Sequence, residues 1–444
     1  MYLDFGGAHD ESRANLFEFM LLSSYFKFLF RNNLNKIWII KETSYFCLSL
    51  IILNKINMNK VLFKTSIVVL ITGFFLACNN DKEDVATVSK KQVIENYASI
   101  AYANYKKAYD DAVILETAIN TFINTPTQIN FDAAKSKWKE SRESYGTTEA
   151  FRFANGPIDD IDGPESLMNA WPLDENYIDY VEGASTSGII NNPILFPTID
   201  KVFLEAQNEN GGEKNISVGY HAIEFLLWGQ DLTAPSEKKA GLRPYTDYVV
   251  NGTASYPLRR GAYLKVCADL LTDHLDYMVN QWKIDGTYRK TFLSLAENTA
   301  IKNMYLGITT LVSAELPVER MDVALGNADQ EDEHSCFSDN THRDIMLNLQ
   351  GVINVYQGKY GSIDGASLED LVQQSNVEVY DNTTVAINAS LTKVAAILTP
   401  FDLAISGGLN STEGAKVRAA VLELKNFGAN LLAGASKIGI TVNG

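Results

Sequence analysis

Nine apolar or small residues, Ile94, Tyr97, Ala101, Tyr105, Ala108, Ala112, Leu115, Ile119 and Phe122, recur at steps of three and four with no glycine or proline among them. A strand would repeat every two residues. This period instead lays all nine along one side of a single long helix. The pattern returns from Phe131 to about Phe153 through Trp138, Arg142, Tyr145 and Glu149, and again through Leu264, Cys267, Leu271, Leu275, Met278 and Trp282. Further helical stretches run from about Phe292 to Ala314, Asp344 to Tyr356, Leu368 to Leu398 and Ala415 to Ala433. Alternating patterns are nearly absent, so the expected fold class is all-α. Helices this long with short gaps pack as antiparallel bundles. The stretch Thr233 to Pro257, rich in Pro, Gly and Tyr, marks the boundary between two of them, one spanning about 91–250 and the other 251–444. A long turn-rich segment carries Gly156-Pro-Ile-Asp-Asp160, Asp162-Gly-Pro-Glu165, Asn169-Ala-Trp-Pro-Leu173 and Asn191-Asn-Pro193. A loop of that length inside a compact domain is expected to carry or cover a site.

The net charge of -16 over 444 residues argues against a nucleic-acid partner, which needs a basic face. The four cysteines, Cys47, Cys78, Cys267 and Cys336, include no Cys-x-x-Cys pair, so a zinc ribbon or redox motif is not expected. Cys267 and Cys336 read as two separate thiols. Met58-Asn-Lys-Val-Leu-Phe-Lys, the apolar run Ser66–Leu76 and Ala77-Cys78 read as a secretory signal peptide over 58–77. The apolar run is short for a membrane span. Cysteine directly after the small residue gives the form of a bacterial lipoprotein signal, with Cys78 the lipidated residue and 78–90 a charged tether. The expected location is therefore the cell envelope, lipid-anchored at the outer membrane on its periplasmic or surface-exposed face. Residues 1–57 precede a complete signal, and signals are read near the start of a nascent chain. We expect Met58 to be the true start and 1–57 an upstream misreading. The competing view is a membrane-anchored extension through the apolar runs 21–30 and 37–53.

The stretch Ser217–Asp231 carries the chemistry. Tyr220, Ile223, Phe225, Leu226, Leu227 and Trp228 are apolar nearly all round, as in a buried helix, with Ser217 or Asn215 as its cap and Gly229 as its end. Three residues apart, His221 and Glu224 fall on one face of that helix, within reach of a shared ion. A buried carboxylate needs a partner, and a metal, an Arg or a Lys would serve.

Gly219-Tyr-His221-Ala-Ile-Glu224, continued by Phe-Leu-Leu-Trp-Gly-Gln-Asp231, resembles the Gly-x-His-x-x-Glu signature of the imelysin family. These are exported bacterial proteins described both as metallopeptidases and as iron-uptake components. The resemblance runs from about Val93 to near the C-terminus and implies two helical bundles with the signature at their interface. It matches Trp138, Arg142 and Glu149 with Phe151 to a family helix, and Ile158-Asp159-Asp160 to a family Ile-Asp element. Two ligands do not hold a metal. The expected set is therefore His221, Glu224, Glu149 and Asp160, with Asp159 as the alternative to Asp160. A surface carboxylate is the competing reading of Glu149. Arg320 is expected to pair with a site carboxylate or to hold an anion across the interface; the plainer alternative is a surface arginine packed by its stem. His334 and His342 sit in an acidic run that gathers cations or is simply solvated. His274 reads as a packed histidine at a core edge.

Two functions are open. A lipid-anchored metal-capture protein needs only oxygen ligands and one imidazole, suits a divalent or ferric ion with iron favoured, and would hand it to a membrane iron transporter or receptor. A zinc metallopeptidase would use Glu224 in catalysis and His334 or His342 as a third ligand. His-Glu-x-x-His is absent, however, with Ala222 where its glutamate base would stand, and no oxyanion-stabilising pair is readable. Capture is the preferred reading. A structural lipoprotein with a vestigial site is the third.

Overall fold

A computed structural model describes residues 87–442. The expected signal peptide over 58–77, Cys78 and residues 1–57 lie outside the described residues. The described part falls within one compact unit, Ala86–Gly444.

The first long stripe forms helix α1 (Lys90–Asn124), whose start is closed by a reciprocal box between Ser89 and Gln92. Thr127 caps α2 (Gln128–Tyr145), which returns along α1 after a three-residue connection. The expected helix to Phe153 stops at Tyr145, where the chain tightens into a 3₁₀ turn, Gly146–Phe151. Close packing explains the change. A Cβ on Gly146 would stand 2.8 Å from the Leu347 Cβ, and one on Gly351 would stand 2.5 Å from the Thr147 carbonyl oxygen.

The signature forms α3 (Gly219–Trp228), with all ten residues buried. Gly229 ends it as expected, at φ 69°. The cap does not follow the sequence: Val218 holds the N-cap position without a side-chain bond. Ser217 Oγ donates instead to the Leu204 carbonyl at 2.6 Å, and Asn215 Nδ2 to the Asn210 carbonyl. Gly219 is required at this start, since its φ is 89° and a Cβ there would meet the Met168 carbonyl oxygen at 2.7 Å.

Helix α4 (Pro257–Trp282) lies along α1 and touches α3, so this first group of helices draws on both sides of the 233–257 break. Buried ion pairs pin the break in place. Asp179 accepts from Arg243 Nη1 at 2.7 Å and from Arg260 Nε and Nη2 at 2.7 and 2.8 Å.

The second group begins with α5 (Glu297–Thr310), which runs into a π-helical stretch, Leu311–Asp322, that contains Pro317. It continues with α6 (Thr341–Gln357), α7 (Val377–Ala395) and α8 (Thr412–Lys437). The expected helix over 368–398 divides at Asn376, which follows a short helix, Leu368–Ser375, and caps α7 through its side chain. Helix α8 packs on α7, α5 and the π stretch, while α6 packs on the 3₁₀ turn and joins the two groups. A two-residue hairpin, Lys359–Tyr360 with Ile363–Asp364, is the one paired sheet among the described residues. The all-α fold class holds.

Candidate metal centre

Helix α3 turns His221 and Glu224 to the same side, and the two side chains meet, Nδ1 to Oε2, at 3.0 Å. The other carboxylate oxygen of Glu224 accepts twice from Ser338, from its backbone N–H at 3.0 Å and its Oγ at 2.7 Å. Ser338 belongs to the loop before α6, which also brings in His334. The His334 ring stands edge-on to His221, with centroids 4.7 Å apart and planes at 77°. Its Nδ1 lies 2.8 Å from Asp344 Oδ2, which also accepts from Ser335 Oγ. Arg142 on α2 closes the other side of Asp344, with Nη2 3.0 Å and Nε 3.3 Å from Oδ1. Each imidazole thus leans through Nδ1 on its own carboxylate. That arrangement fixes the ring and leaves the remaining nitrogen to act. The His221 Nε2 is buried and has no hydrogen-bond partner.

Burial sets the charges. It pulls His221 down to about 3, helped by Arg142, and carries His334 well below the usual range, helped by Arg320. Both rings are neutral, each keeping one ring proton and one lone pair. Burial pushes Glu224 up to about 8 against the Ser338 bonds. It opposes ionised Asp344 too, but Arg142, His334 and Ser335 outweigh it and hold that carboxyl well below its ordinary value.

A cleft of about 290 Å³ reaches the His334 side of this centre, with His334, Trp171, Asn169 and Arg320 in its lining. The Trp171 ring stands edge-on to His334 at 5.7 Å, and its Nε1–H donates to the Glu333 carbonyl at 2.9 Å. Glu165, Glu209, Glu315 and Glu319 outnumber Arg152 and Arg320 in the walls, so the approach favours cations. Behind it Glu149 is buried, and Arg320 Nη2 donates to it at 2.7 Å. Burial opposes the Glu149 charge, yet Arg320 and Arg152 bring its pKa to about 2. Asn169 bridges the two parts, accepting from Arg142 at 2.6 Å and donating to Glu149 at 3.4 Å.

The expected residues divide accordingly. His221, Glu224 and His334 come together. Glu149 and Arg320 come to each other, with Arg320 in the cleft lining. Asp160 is exposed, with Oδ1 taken by the Ile161 N–H, and no hydrogen bond ties it to the buried network. Asp159 accepts from the Phe153 N–H and pairs with Arg152. His342 lines a separate small cleft with Met346 and Val394. His274 sits partly buried against Glu205, 2.9 Å away. Cys267 and Cys336 are free and buried. Asp344, Ser338 and Asn169 were not anticipated. Among the described residues no three His, Cys, Asp or Glu side chains form a ready metal-ligand group. Both Glu224 oxygens are engaged, so this carboxylate orients His221 instead of pointing with it at a common vacancy. The arrangement can supply neutral imidazole nitrogens to a cation, with Glu224 and Asp344 behind them.

Fold and centre together define an all-helical protein built around a buried His-x-x-Glu pair and a second imidazole. The family model described as imelysin, peptidase M75, matches residues 101–430, and the chain belongs to that family. It is 24% identical over 319 residues to iron-regulated protein A of Synechococcus elongatus, covering 69% of this chain and 74% of that protein. Its fold is similar to a protein described as an iron-regulated protein A precursor from Parabacteroides distasonis, with a TM-score of 0.61 and 18% identity over 80% of this chain and 97% of that one. It is also similar to an imelysin-like protein from Psychrobacter arcticum, with a TM-score of 0.57 and 12% identity over 80% and 98% of the two chains.

Proposed function

We propose that this protein captures a metal cation as cargo, iron first among the candidates, at the cell envelope. His221 and His334 supply the protein donors, and Glu224 and Asp344 act as the carboxylates that aim them. One observation carries the reading: the His221 Nε2 is buried beside a second imidazole, has no partner, and belongs to a ring whose other nitrogen is held by a carboxylate. A buried nitrogen left without a bond calls for a ligand, and carboxylate-backed imidazole is the donor that divalent transition metals take. The acidic walls of the cleft support a cation as the cargo, and the name of the Synechococcus relative supports iron. Lipid attachment at Cys78 would hold the protein at the membrane, where a transporter or receptor takes the ion.

Titration of the metal-free protein with Fe²⁺ under anaerobic conditions tests this. Trp171, edge-on to His334, is the built-in reporter. Saturable quenching is expected in the wild type, lost in His221→Ala and His334→Ala. A flat titration in the wild type would refute capture. Cleavage of an unfolded protein that disappears in Glu224→Ala would favour the metallopeptidase instead.

A further inference from the structure

A second cleft, of about 430 Å³, opens where three segments meet: the loop after α3, the acidic stretch at 328–331 and the short helix Phe401–Ile405. Asp231, Asp329, Glu331 and Asp402 line it, and its walls contain no lysine, arginine or histidine. Acidic loops on a surface are ordinarily solvated, and acidity alone assigns nothing here. Asp402 is different. It is 2% exposed, and its Oδ1 is buried with no hydrogen-bond partner. A carboxylate oxygen shut from water without a donor is rare in folded proteins and unfavourable unless something positive reaches it.

No charged partner stands beside it in the cleft walls. Burial raises the Asp402 and Asp231 carboxyls; at Asp402 the Leu403 N–H works against this, and the charge it feels is that of Asp231. Glu331 is pushed up to about 8 by burial, then by Glu175, Asp329 and Asp231. The walls themselves are tied in place. Asp231 Oδ1 accepts from the Thr233 N–H at 3.0 Å and from its Oγ1 at 2.9 Å, while Gln330 Nε2 donates to the Asp231 carbonyl at 2.7 Å.

We propose that this cleft is a second cation site, separate from the imidazole pair, which takes Ca²⁺ through Asp402 and Asp231. No three carboxylates of the described residues converge on one point. Carbonyl and water oxygens therefore complete the shell. Ca²⁺ accepts this, since it takes about six to eight oxygens in loose geometry, whereas Mg²⁺ demands a near-ideal octahedron. The bound ion ties the loop after α3 to the Phe401–Ile405 helix, and Gln330, which donates to the Asp231 carbonyl, couples the 328–331 stretch to it. Three residues further on, the same loop presents His334, so Ca²⁺ here steadies the segment that completes the imidazole pair.

The test is thermal unfolding of the purified full chain after chelator treatment, in about 1 mM CaCl₂ against NaCl of equal ionic strength. The wild type is expected to gain about 2 °C or more in Tm and to bind one Ca²⁺ per chain by calorimetry. Asp402→Asn should lose both. Asp231→Asn serves if that variant fails to fold. His221→Ala should keep both, which separates this site from the capture site. The proposal falls if wild-type Tm does not exceed the NaCl control, if Asp402→Asn or Asp231→Asn retains the gain, or if His221→Ala abolishes it.

Discussion

Replacing Glu224 by glutamine isolates what the carboxylate does. In the wild type Oε1 accepts two bonds from Ser338, so Oε2 shares a proton with His221 Nδ1 across 3.0 Å. With the Glu224 pKa at about 8, the pair at neutral pH keeps that shared proton and one more on His221 Nε2. A cation arriving at Nε2 displaces the second proton, and Glu224 becomes the anion that backs the ring. Two results follow for the wild type. Binding should release close to one proton at pH 7. Affinity should rise about tenfold per pH unit well below pH 8 and level off beyond it, so that pH 6 and pH 8 differ by about 50-fold, or about 2.3 kcal/mol. Glutamine keeps the Ser338 bonds only by turning its NH₂ toward Nδ1, which locks the proton onto Nε2. The Glu224→Gln variant should therefore bind about 10- to 100-fold more weakly, lose the pH dependence below 8, and fold normally. Calorimetry in buffers of different ionisation enthalpy counts the protons, and the imidazole nitrogen shifts in NMR report the tautomer. Affinity within twofold of wild type in Glu224→Gln, with the same pH slope, would refute this reasoning.

Arg320→Ala takes from buried Glu149 its nearest cation and leaves only Arg152, 4.0 Å away; a loss of about 3–5 kcal/mol is expected in urea denaturation, with partial recovery in Arg320→Ala/Glu149→Gln. Gly351→Ala drives a methyl to 2.5 Å from the Thr147 carbonyl oxygen, and should lower stability by about 1–3 kcal/mol by the same assay. Cys78→Ala in cells should abolish lipid labelling and release the protein from the membrane fraction; retention with labelling elsewhere would overturn the lipoprotein reading.

What could be read from the residues was what local geometry decides. The stripes of α1 and α4 follow from period alone, and so does the meeting of His221 with Glu224, because a three-residue step on a helix leaves little choice. Helix ends were harder. Ser217 looked like a cap but was drawn to the Leu204 carbonyl, a contact that sequence spacing does not encode. The second imidazole could be named only as one of two candidates. His334 and His342 sit in one acidic run without periodicity, and only the docking of that loop puts the first beside His221 and leaves the second in another cleft. Asp344 carried no signal, since an acid in the first turn of a helix is ordinary. Asp160 was expected at the centre because Ile158-Asp159-Asp160 resembles a family element, but its carboxylate accepts from the next backbone N–H and faces water.

The bond between Glu224 and Ser338 spans 114 residues of chain. A ribosome that has released only the first three hundred residues has already made the signature helix, yet nothing on that nascent chain offers the second ring or the serine that steadies the first. On the capture reading the grip would therefore come into being late, when the loop before α6 settles, and a chain that crosses a membrane unfolded would choose its cargo on the far side.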